Sequence, residues 1–226
     1  MLSIDMIMPA AGIGKRMGSS VPKQYLKIFD QTVLEYTVKT LLASPYCNRV
    51  IVAIRRDDPY FCTLPVASHP KVKIVEGGEE RVNSVLNALA EAGTEWVLVH
   101  DAARPCLSQH DLTRLIEEST RKDGGILGCA VRDTMKRTNQ LLEIQKTEDR
   151  SLMFHALTPQ LFRREQLIDS INRALSEGVA VTDESSAMEF AGFKPLLVEG
   201  RSDNIKITQP ADLKMAEFII NSMIKG

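Results

Sequence analysis

Short, continuously apolar segments alternate along this chain with segments of helical periodicity, and this alternation constrains the fold more than any other feature. The apolar segments are rich in β-branched residues and are bounded by glycine or polar residues, which is typical of buried strands. We predict strands at residues 4–8, 50–54, 72–75, 96–99, 125–131, 195–198 and 204–208. We predict helices at residues 32–43, 82–89, 165–175 and 184–191, with others beginning near Ser108 and Pro210. The pattern predicts an α/β fold, a mostly parallel sheet with helices on both faces, in one domain over residues 1–226.

Two of the predicted helices begin with a local sequence signature. Thr32 is followed three residues later by Glu35, and Ser108 is followed at the same spacing by Asp111. In a capping box the first side chain accepts a hydrogen bond from the backbone of the third helical residue, whose own side chain reaches back. We therefore expect a capping box at each of these two helix starts.

The bulk composition excludes several classes of protein. Lys and Arg number 28 against 29 Asp and Glu, and the sequence pI is near 6.4, which argues against a general nucleic-acid-binding protein. No apolar run reaches the ~18 residues of a membrane span, and the first residues lack the basic start of a secretory signal. The four cysteines form no C-x-x-C pair. Reduced thiols in the cytoplasm therefore fit better than a zinc site or a disulfide scaffold.

Ligands of such sheets bind at the carboxyl ends of the strands, so the loops at residues 9–23, 76–84 and 100–105 are the candidates. The first loop is rich in small residues, and residues 12–27 include four cations and no acid. The cations are Lys15, Arg16, Lys23 and Lys27. Close backbone approach and local positive charge are what a bound phosphate requires. We interpret this loop as phosphate-binding; a flexible glycine turn with solvated cations is the alternative.

Two familiar phosphate-binding motifs do not match this loop. The P-loop pattern fails because Pro9 stands at its first glycine position and Arg16 follows the lysine. The dinucleotide fingerprint fails by one residue, because the third glycine is Gly18. The loop therefore indicates a nucleotide or phosphate site of another type.

The other two loops add weaker signals. Arg81 and Ser84 lie one turn apart at the start of a predicted helix and could reach a ligand together. Asp101 follows an apolar strand, where a carboxylate is well placed to hold Mg²⁺ bound to a nucleotide phosphate. A lone Asp at such a position more often caps a turn, but Arg104 three residues on and the basic glycine loop favour the ligand-binding interpretation. We expect His100 to be a packed residue.

Residues 132–154 break the pattern, because they are polar and charged with few apolar side chains. They fit an extended β-arm near the surface. A lone two-stranded hairpin is barely stable in water and needs something to pack on. A partner subunit and a folded-back surface loop are equally good explanations of the pattern alone.

Several longer motifs, in order along the chain, carry a family resemblance. They are Pro9-Ala10-Ala11-Gly12 with Gly14, Arg16 and Pro22-Lys23-Gln24-Tyr25; His100-Asp101-Ala102-Ala103-Arg104-Pro105; Asp133-Thr134-Met135-Lys136; His155-Ala156-Leu157-Thr158-Pro159-Gln160; Thr182-Asp183-Glu184; and Asn204-Ile205-Lys206-Ile207-Thr208. On these motifs the chain resembles the 2-C-methyl-D-erythritol 4-phosphate cytidylyltransferases of the non-mevalonate isoprenoid route. The resemblance implies a Rossmann-like fold of the nucleotidyltransferase type without an appended synthase domain, and a homodimer in which the 132–154 arm reaches into the neighbouring subunit.

The resemblance also implies the reaction. An oxygen of the substrate phosphate attacks the α-phosphorus of CTP in line, CMP is transferred to methylerythritol phosphate, and pyrophosphate leaves, with Mg²⁺ or another divalent cation as cofactor. Such a transfer needs alignment of two anions and stabilisation of charge on the phosphoryl group, and it needs no nucleophilic side chain.

The resemblance assigns roles residue by residue. The implied catalytic residues are Arg16, Lys23, Asp101 and Lys206, with Asp101 also the metal ligand. The implied CTP-binding residues are Pro9, Ala10, Ala11, Gly12, Gly14, Lys15, Gly78, Glu79, Ser84, Ala102 and Arg104. The implied substrate-binding residues are Thr134, Arg150, Thr158, Thr182 and Lys206. A cytidylyltransferase for another polyol phosphate, such as ribitol 5-phosphate, is the alternative that motif spacing leaves open.

Overall fold

The computed structural model describes residues 2–12 and 21–225, which form an α/β domain around a central sheet. The strands are β1 (Ile4–Pro9), β2 (Lys27–Ile28), β3 (Gln31–Thr32), β4 (Cys47–Ile54), β5 (Val72–Glu76), β6 (Trp96–Val99), β7 (Gly125–Ala130), β8 (Lys136–Thr138), β9 (Ile144–Thr147), β10 (Phe154–Arg163) and β11 (Leu196–Glu199). The helices are α1 (Val33–Leu42), α2 (Arg81–Ala90), α3 (Gln109–Ser119), α4 (Arg164–Ser176), α5 (Glu184–Phe190) and α6 (Pro210–Lys225). Within these described ranges, no helix is both long and apolar enough to cross a membrane.

The central sheet has seven strands in the order β11-β7-β10-β6-β1-β4-β5. Within the described part of this seven-stranded sheet, β10 runs antiparallel to its neighbours, β6 and β7, and the other pairings are parallel. The chain therefore has the mostly parallel sheet that the apolar runs predict. The strand that reverses direction was not anticipated by the sequence pattern.

Both faces of the sheet are covered, as the uninterrupted apolar strands require. In β1, Met6 packs into the core on one face with Leu34 of α1, while Ile7 packs into the core on the other face with Val85 of α2. Met6 and Ile7 are both fully buried. Alternate side chains of one strand thus serve two separate cores.

The two predicted capping boxes have different outcomes. The Thr32 side chain accepts from the Glu35 backbone at 3.2 Å, and the Glu35 carboxylate accepts from the Thr32 backbone at 2.8 Å, so this box is confirmed. Ser108 accepts from the Asp111 backbone at 3.1 Å. However, the Asp111 carboxylate accepts instead from the backbone of Arg201 at 3.0 Å. The second box is therefore incomplete, because the Asp111 side chain bonds to a distant residue and not to the backbone of Ser108.

The prediction of a strand at residues 204–208 is wrong. Residues 204–208 belong to neither a strand nor a helix, and their backbone groups bond to loops and side chains. The backbone N–H of Ile207 donates to the carbonyl of Ala103 at 2.9 Å, and the carbonyl of Asn204 accepts from Arg104 at 2.7 Å. The segment therefore lies across the loop that follows β6.

A buried carboxylate organises the amino-terminal edge of the sheet. Asp5 of β1 is fully buried and accepts from the side chains of Asn48 and Arg49 and from the backbone of Gly93 and Thr94. Burial by itself would raise the pKa of Asp5, but these donors outweigh it and lower the pKa. The charged form is therefore favoured in the folded protein.

Replacing Asp5 by Asn should destabilise the fold without damaging the opposite, ligand-binding edge. An amide cannot accept all of these hydrogen bonds, and breaking a buried ionic network costs about 3–5 kcal/mol. Because the pKa of Asp5 is lowered on folding, its stabilisation is present above its unfolded pKa and is lost as pH falls. Urea unfolding of the unmodified protein, of D5N and of the exposed control D57N at pH 7 and at about pH 3, below the unfolded pKa, measures both effects. Equal stability of the two variants at pH 7 would contradict this role.

Candidate active site

The crevice at the carboxyl ends of β1 and β6 is the topological switch point of the sheet, because the chain leaves β1 toward β4 on one side and returns to β6 on the other. The three loops that were singled out meet there and line a cavity. Its walls are Pro9, Ala10, Ala11, Gly12, Lys23, Gln24, Gly78, Glu79, Glu80, Arg81, Ser84, Asp101, Ala102, Ala103 and Lys206. Most of the described residues that were assigned to CTP are in this set.

Gln24 holds the turn after β1 in place. Its side-chain Nε2 donates to the carbonyl of Ala10 at 2.7 Å and to that of Gly12 at 3.0 Å. The neighbouring Lys23 donates from Nζ to the carbonyl of Ile207 at 2.8 Å. The buried amide of Gln24 therefore fixes the small-residue loop relative to a cation on the cavity wall.

The loop after β5 needs glycine for close packing. A Cβ on Gly77 would lie 2.5 Å from the Cβ of Ala11, and one on Gly78 would lie 2.3 Å from the Cβ of Asn83. The backbone N–H of Gly78 donates to Ser84 Oγ at 3.0 Å. Ser84, which also lines the cavity, therefore holds the backbone of Gly78 in place at the cavity wall.

Three cations converge on the carboxylate of Asp101. Lys206 Nζ lies 2.7 Å from Oδ2, Arg81 Nε lies 3.1 Å from Oδ1, and Arg104 Nε lies 3.7 Å from Oδ2. Burial opposes ionisation of Asp101, but the charges of Arg81 and Lys206 outweigh it, so the pKa is held well below its usual range. Asp101 is therefore a charged hub that fixes three cations at the end of β6.

A chain of hydrogen bonds fixes the backbone beneath this hub. The Asp101 N–H donates to Thr158 Oγ1 at 3.1 Å, and that hydroxyl lies 2.9 Å from His100 Nδ1. His100 Nε2 lies 3.1 Å from the carbonyl of Arg104, which can only accept, so Nε2 carries the proton and Nδ1 accepts from Thr158. Burial lowers the pKa of His100 to about 4. His100 is thus neutral and packed, as expected.

A second cavity adjoins the first. It is lined by Arg81, Asp101, Arg104, Ala156, Leu157, Thr158, Gln160, Thr182, Asp183 and Lys206. Arg81, Asp101 and Lys206 belong to both cavities. The crevice therefore has two compartments that share one wall of charged groups.

Some expected residues lie elsewhere. Arg104, expected on the nucleotide side, lines the second cavity and not the first. Thr134 and Arg150 are exposed and line neither cavity of their own chain, and the guanidinium of Arg150 donates to the carbonyl of Arg132. Gly14, Lys15 and Arg16 fall outside the described residues.

The sequence interpretation missed two residues that shape the site. Glu184 forms a two-pronged ion pair with Arg81, at 2.7 and 3.0 Å. Asn204 donates from Nδ2 to the Thr158 carbonyl at 2.9 Å. Each lies within a motif on which the family resemblance rests, and that position was the signal in the sequence that could have identified it.

The metal-binding capacity of the site is limited on the protein side. Among residues 2–12 and 21–225, no group of three or more His, Cys, Asp and Glu side chains is arranged to hold a metal ion. Asp101 is a carboxylate of both cavities, and its oxygens already face cations. A divalent cation fits this site where phosphate oxygens supply most of its ligands and Asp101 supplies at most one.

Comparison with known proteins identifies the family. The family model for 2-C-methyl-D-erythritol 4-phosphate cytidylyltransferase (IspD) matches residues 4–222. A protein of that name from Escherichia coli O1:K1 / APEC is 54% identical over 226 residues, covering 99% of this chain and 96% of its own. The crystal structure of the Francisella tularensis 2-C-methyl-D-erythritol 4-phosphate cytidylyltransferase has 36% identity and a TM-score of 0.81, over 96% of this chain and 99% of that one.

A more distant structure has the same fold. The 2-C-methyl-D-erythritol 4-phosphate cytidylyltransferase from Thermus thermophilus has 28% identity and a TM-score of 0.82, over 97% of this chain and 100% of that one. The agreement extends over nearly the whole length of each chain. With the switch-point crevice and its motifs in place, the chain belongs to the 2-C-methyl-D-erythritol 4-phosphate cytidylyltransferase family.

Proposed function

We propose that this protein transfers CMP from CTP to 2-C-methyl-D-erythritol 4-phosphate, giving 4-diphosphocytidyl-2-C-methyl-D-erythritol and pyrophosphate. The observation that carries the proposal is the pair of adjoining cavities, which share Arg81, Asp101 and Lys206, in a chain of this family. One cavity accommodates the nucleotide and the other the acceptor. The shared wall lies where the two phosphates must meet.

The first cavity suits a cytosine nucleotide. Small side chains at Ala10, Ala11 and Ala102 leave little room for a purine, and backbone groups around Pro9 and Gly78 can recognise the edge of the base. The carbonyl of Ala10 already accepts from Gln24, which keeps that part of the wall rigid. We assign the base and ribose to the residues expected to bind CTP, with Glu79 and Ser84 at the loop after β5.

The chemistry requires positive charge more than proton transfer. The acceptor phosphate is itself the nucleophile, and the transition state spreads negative charge over the transferring phosphoryl group. Lys23 from the nucleotide side and Lys206 from the shared wall are placed to stabilise that charge. Arg16 and Lys15 complete this set in the proposal, from outside the described residues.

We propose Mg²⁺ as the cofactor, held mainly by the triphosphate, with Asp101 as the protein ligand. The metal supplies charge neutralisation of the phosphates when it is bound. Asp101 also orients acceptor hydroxyls, and Thr158 and Thr182 line the acceptor cavity beside it. The hydroxyl of Thr158 is engaged by Asp101 and His100, so its contribution is to hold that wall.

We also propose a homodimer formed through the 132–154 arm. Leu141, Leu142 and Leu152 are 78%, 82% and 89% exposed in the single chain. Thr134 and Arg150 do not line the acceptor cavity of their own chain. Contact with a second copy would let them reach the acceptor cavity of that copy. The proposal includes a cytoplasmic setting, which the four unpaired cysteines support, and it includes no nucleic-acid or membrane partner.

The acceptor is tested by measuring pyrophosphate release from CTP with a panel of polyol phosphates. We expect methylerythritol phosphate to give the highest kcat/KM, and removal of divalent metal with a chelator to abolish turnover. ATP, GTP and UTP in place of CTP serve as controls for the base. Equal or higher turnover of ribitol 5-phosphate would contradict the proposed acceptor and favour the pentitol-phosphate alternative.

Replacing Lys23 by Ala should lower kcat by about 10²–10³-fold, the usual loss when a group that stabilises transition-state charge is removed. The KM for CTP should change little, because the lost interaction is strongest in the transition state. Lys27→Ala is the matched control, since Lys27 is exposed on β2 and lines neither cavity. A change in KM alone would show that Lys23 only binds the nucleotide.

Mixing two inactive variants tests whether the arm acts on the neighbouring subunit. A heterodimer of Arg150→Ala and Lys23→Ala subunits should contain one intact site if each arm serves its partner, and so recover about half the activity of an unmodified dimer. The heterodimer is purified with two affinity tags before assay. Verified heterodimers with no more activity than the parental variants would show that each arm serves its own chain.

A further inference from the structure

Arg81 lies at the junction of the two cavities and is held by two carboxylates. Its Nη1 and Nη2 donate to the two oxygens of Glu184 at 2.7 and 3.0 Å, and its Nε donates to Asp101 at 3.1 Å. All three guanidinium nitrogens therefore have a fixed partner. A planar fork bound in this way has one orientation.

Glu184 holds Arg81 from outside the two cavities. Its side chain is 2% exposed and lines neither cavity, whereas Arg81 lines both. A group in that position reaches bound phosphates only through the guanidinium that it holds.

Glu184 is itself firmly placed as the first residue of α5. The preceding Asp183 caps this helix, accepting from the Ser186 backbone at 2.9 Å. Gln160 of β10 bonds both sides of Glu184, donating to Asp183 at 2.8 Å and accepting from the Ser185 backbone at 2.9 Å. The start of α5 is therefore locked onto the central sheet.

Glu184 also sets the charge at the junction. Asp101 and Glu184 face the cations Arg81, Arg104 and Lys206, which leaves one surplus positive charge in this group. Two phosphorylated reactants need fixed positive charge where they meet. Without Glu184, Arg81 would keep its charge but could bind the phosphate of either substrate before the reaction begins. Such an interaction stabilises the ground state, and it does not speed the reaction.

We propose that Arg81 contacts the phosphates at the junction of the two cavities, and that Glu184 is a positioning residue that fixes the Arg81 guanidinium for the transition state. The inference rests on the proposed function, whose two anionic substrates supply the phosphates. It assigns to the Thr182-Asp183-Glu184 motif a role beyond lining the acceptor cavity.

The test is a double-mutant cycle on the transferase reaction with Glu184→Gln, Arg81→Lys and the double variant. Glu184→Gln keeps the shape of the side chain and removes the charge, and we expect kcat to fall about 10–100-fold with the KM for CTP changed by less than about threefold. Arg81→Lys keeps the charge and loses the fork, and kcat should fall to a similar extent. The kcat of the double variant should lie within about threefold of the kcat of Arg81→Lys, because Glu184 acts through Arg81.

The control is Glu189→Gln, the same chemical change at an exposed position of the same helix, which should retain the unmodified kcat. Thermal unfolding of each variant separates stability from rate. An unchanged kcat in Glu184→Gln, or losses that multiply in the double variant, would overturn the positioning role. If Glu184→Gln does not fold, an unmodified kcat in Arg81→Lys overturns it. Absence of turnover in the unmodified protein would instead overturn the proposed function.

Discussion

The convergence of three cations on the buried carboxylate of Asp101 is the interaction on which the rest of the crevice depends. Arg81 belongs to α2, Arg104 to the loop after β6, and Lys206 to the segment that crosses that loop. Asp101 and Arg104 are buried, and a buried charge without a partner costs several kcal/mol. The ion pairs therefore tie together three chain segments that are distant in sequence, and Thr158 fixes the backbone of the carboxylate that joins them.

The two ends of the sheet use buried aspartates to opposite effect. Asp5 takes its hydrogen bonds mainly from neutral donors, with Arg49 as its ion-pair partner. Its environment is satisfied within the protein, so that end is structural. At the other end Asp101 and Glu184 hold three cations in fixed positions, and Lys23 lines the first cavity beside them. A triphosphate and a phosphorylated acceptor need cations that are held in place where the two phosphates meet. The near-zero net charge of the chain gives no sign of this local arrangement of cations.

Most features that depend on neighbouring residues were predictable from the sequence, apart from the Ser108–Asp111 box, and specific pairings between distant segments were not. Buried parallel strands are visible as apolar runs, and the Thr32–Glu35 box is complete within four residues. The segment 204–208 also has strand-like composition, but which backbone pairs with it is decided by the loop it crosses. The pairing of Arg81 with Glu184 spans 103 residues, so local spacing contains no sign of it. The three cavity-lining loops were predictable because the carboxyl ends of parallel strands meet by geometry alone.

The arm poses a stability problem and a functional one, and a second copy of the chain would solve both. Strands β8 and β9 pair only with each other among the described strands, and a hairpin of this size is marginal in water without a surface to pack on. The exposed side chains of Leu141 and Leu142 make an isolated arm still less favourable. Meanwhile Thr134 and Arg150 lie at the base of the same arm, away from the acceptor cavity of their own chain. A contact that buried the leucines against a neighbour would also bring another cation to a phosphate-binding site. In the proposed dimer, the neighbouring arm would therefore complete the acceptor site as well as stabilise the hairpin.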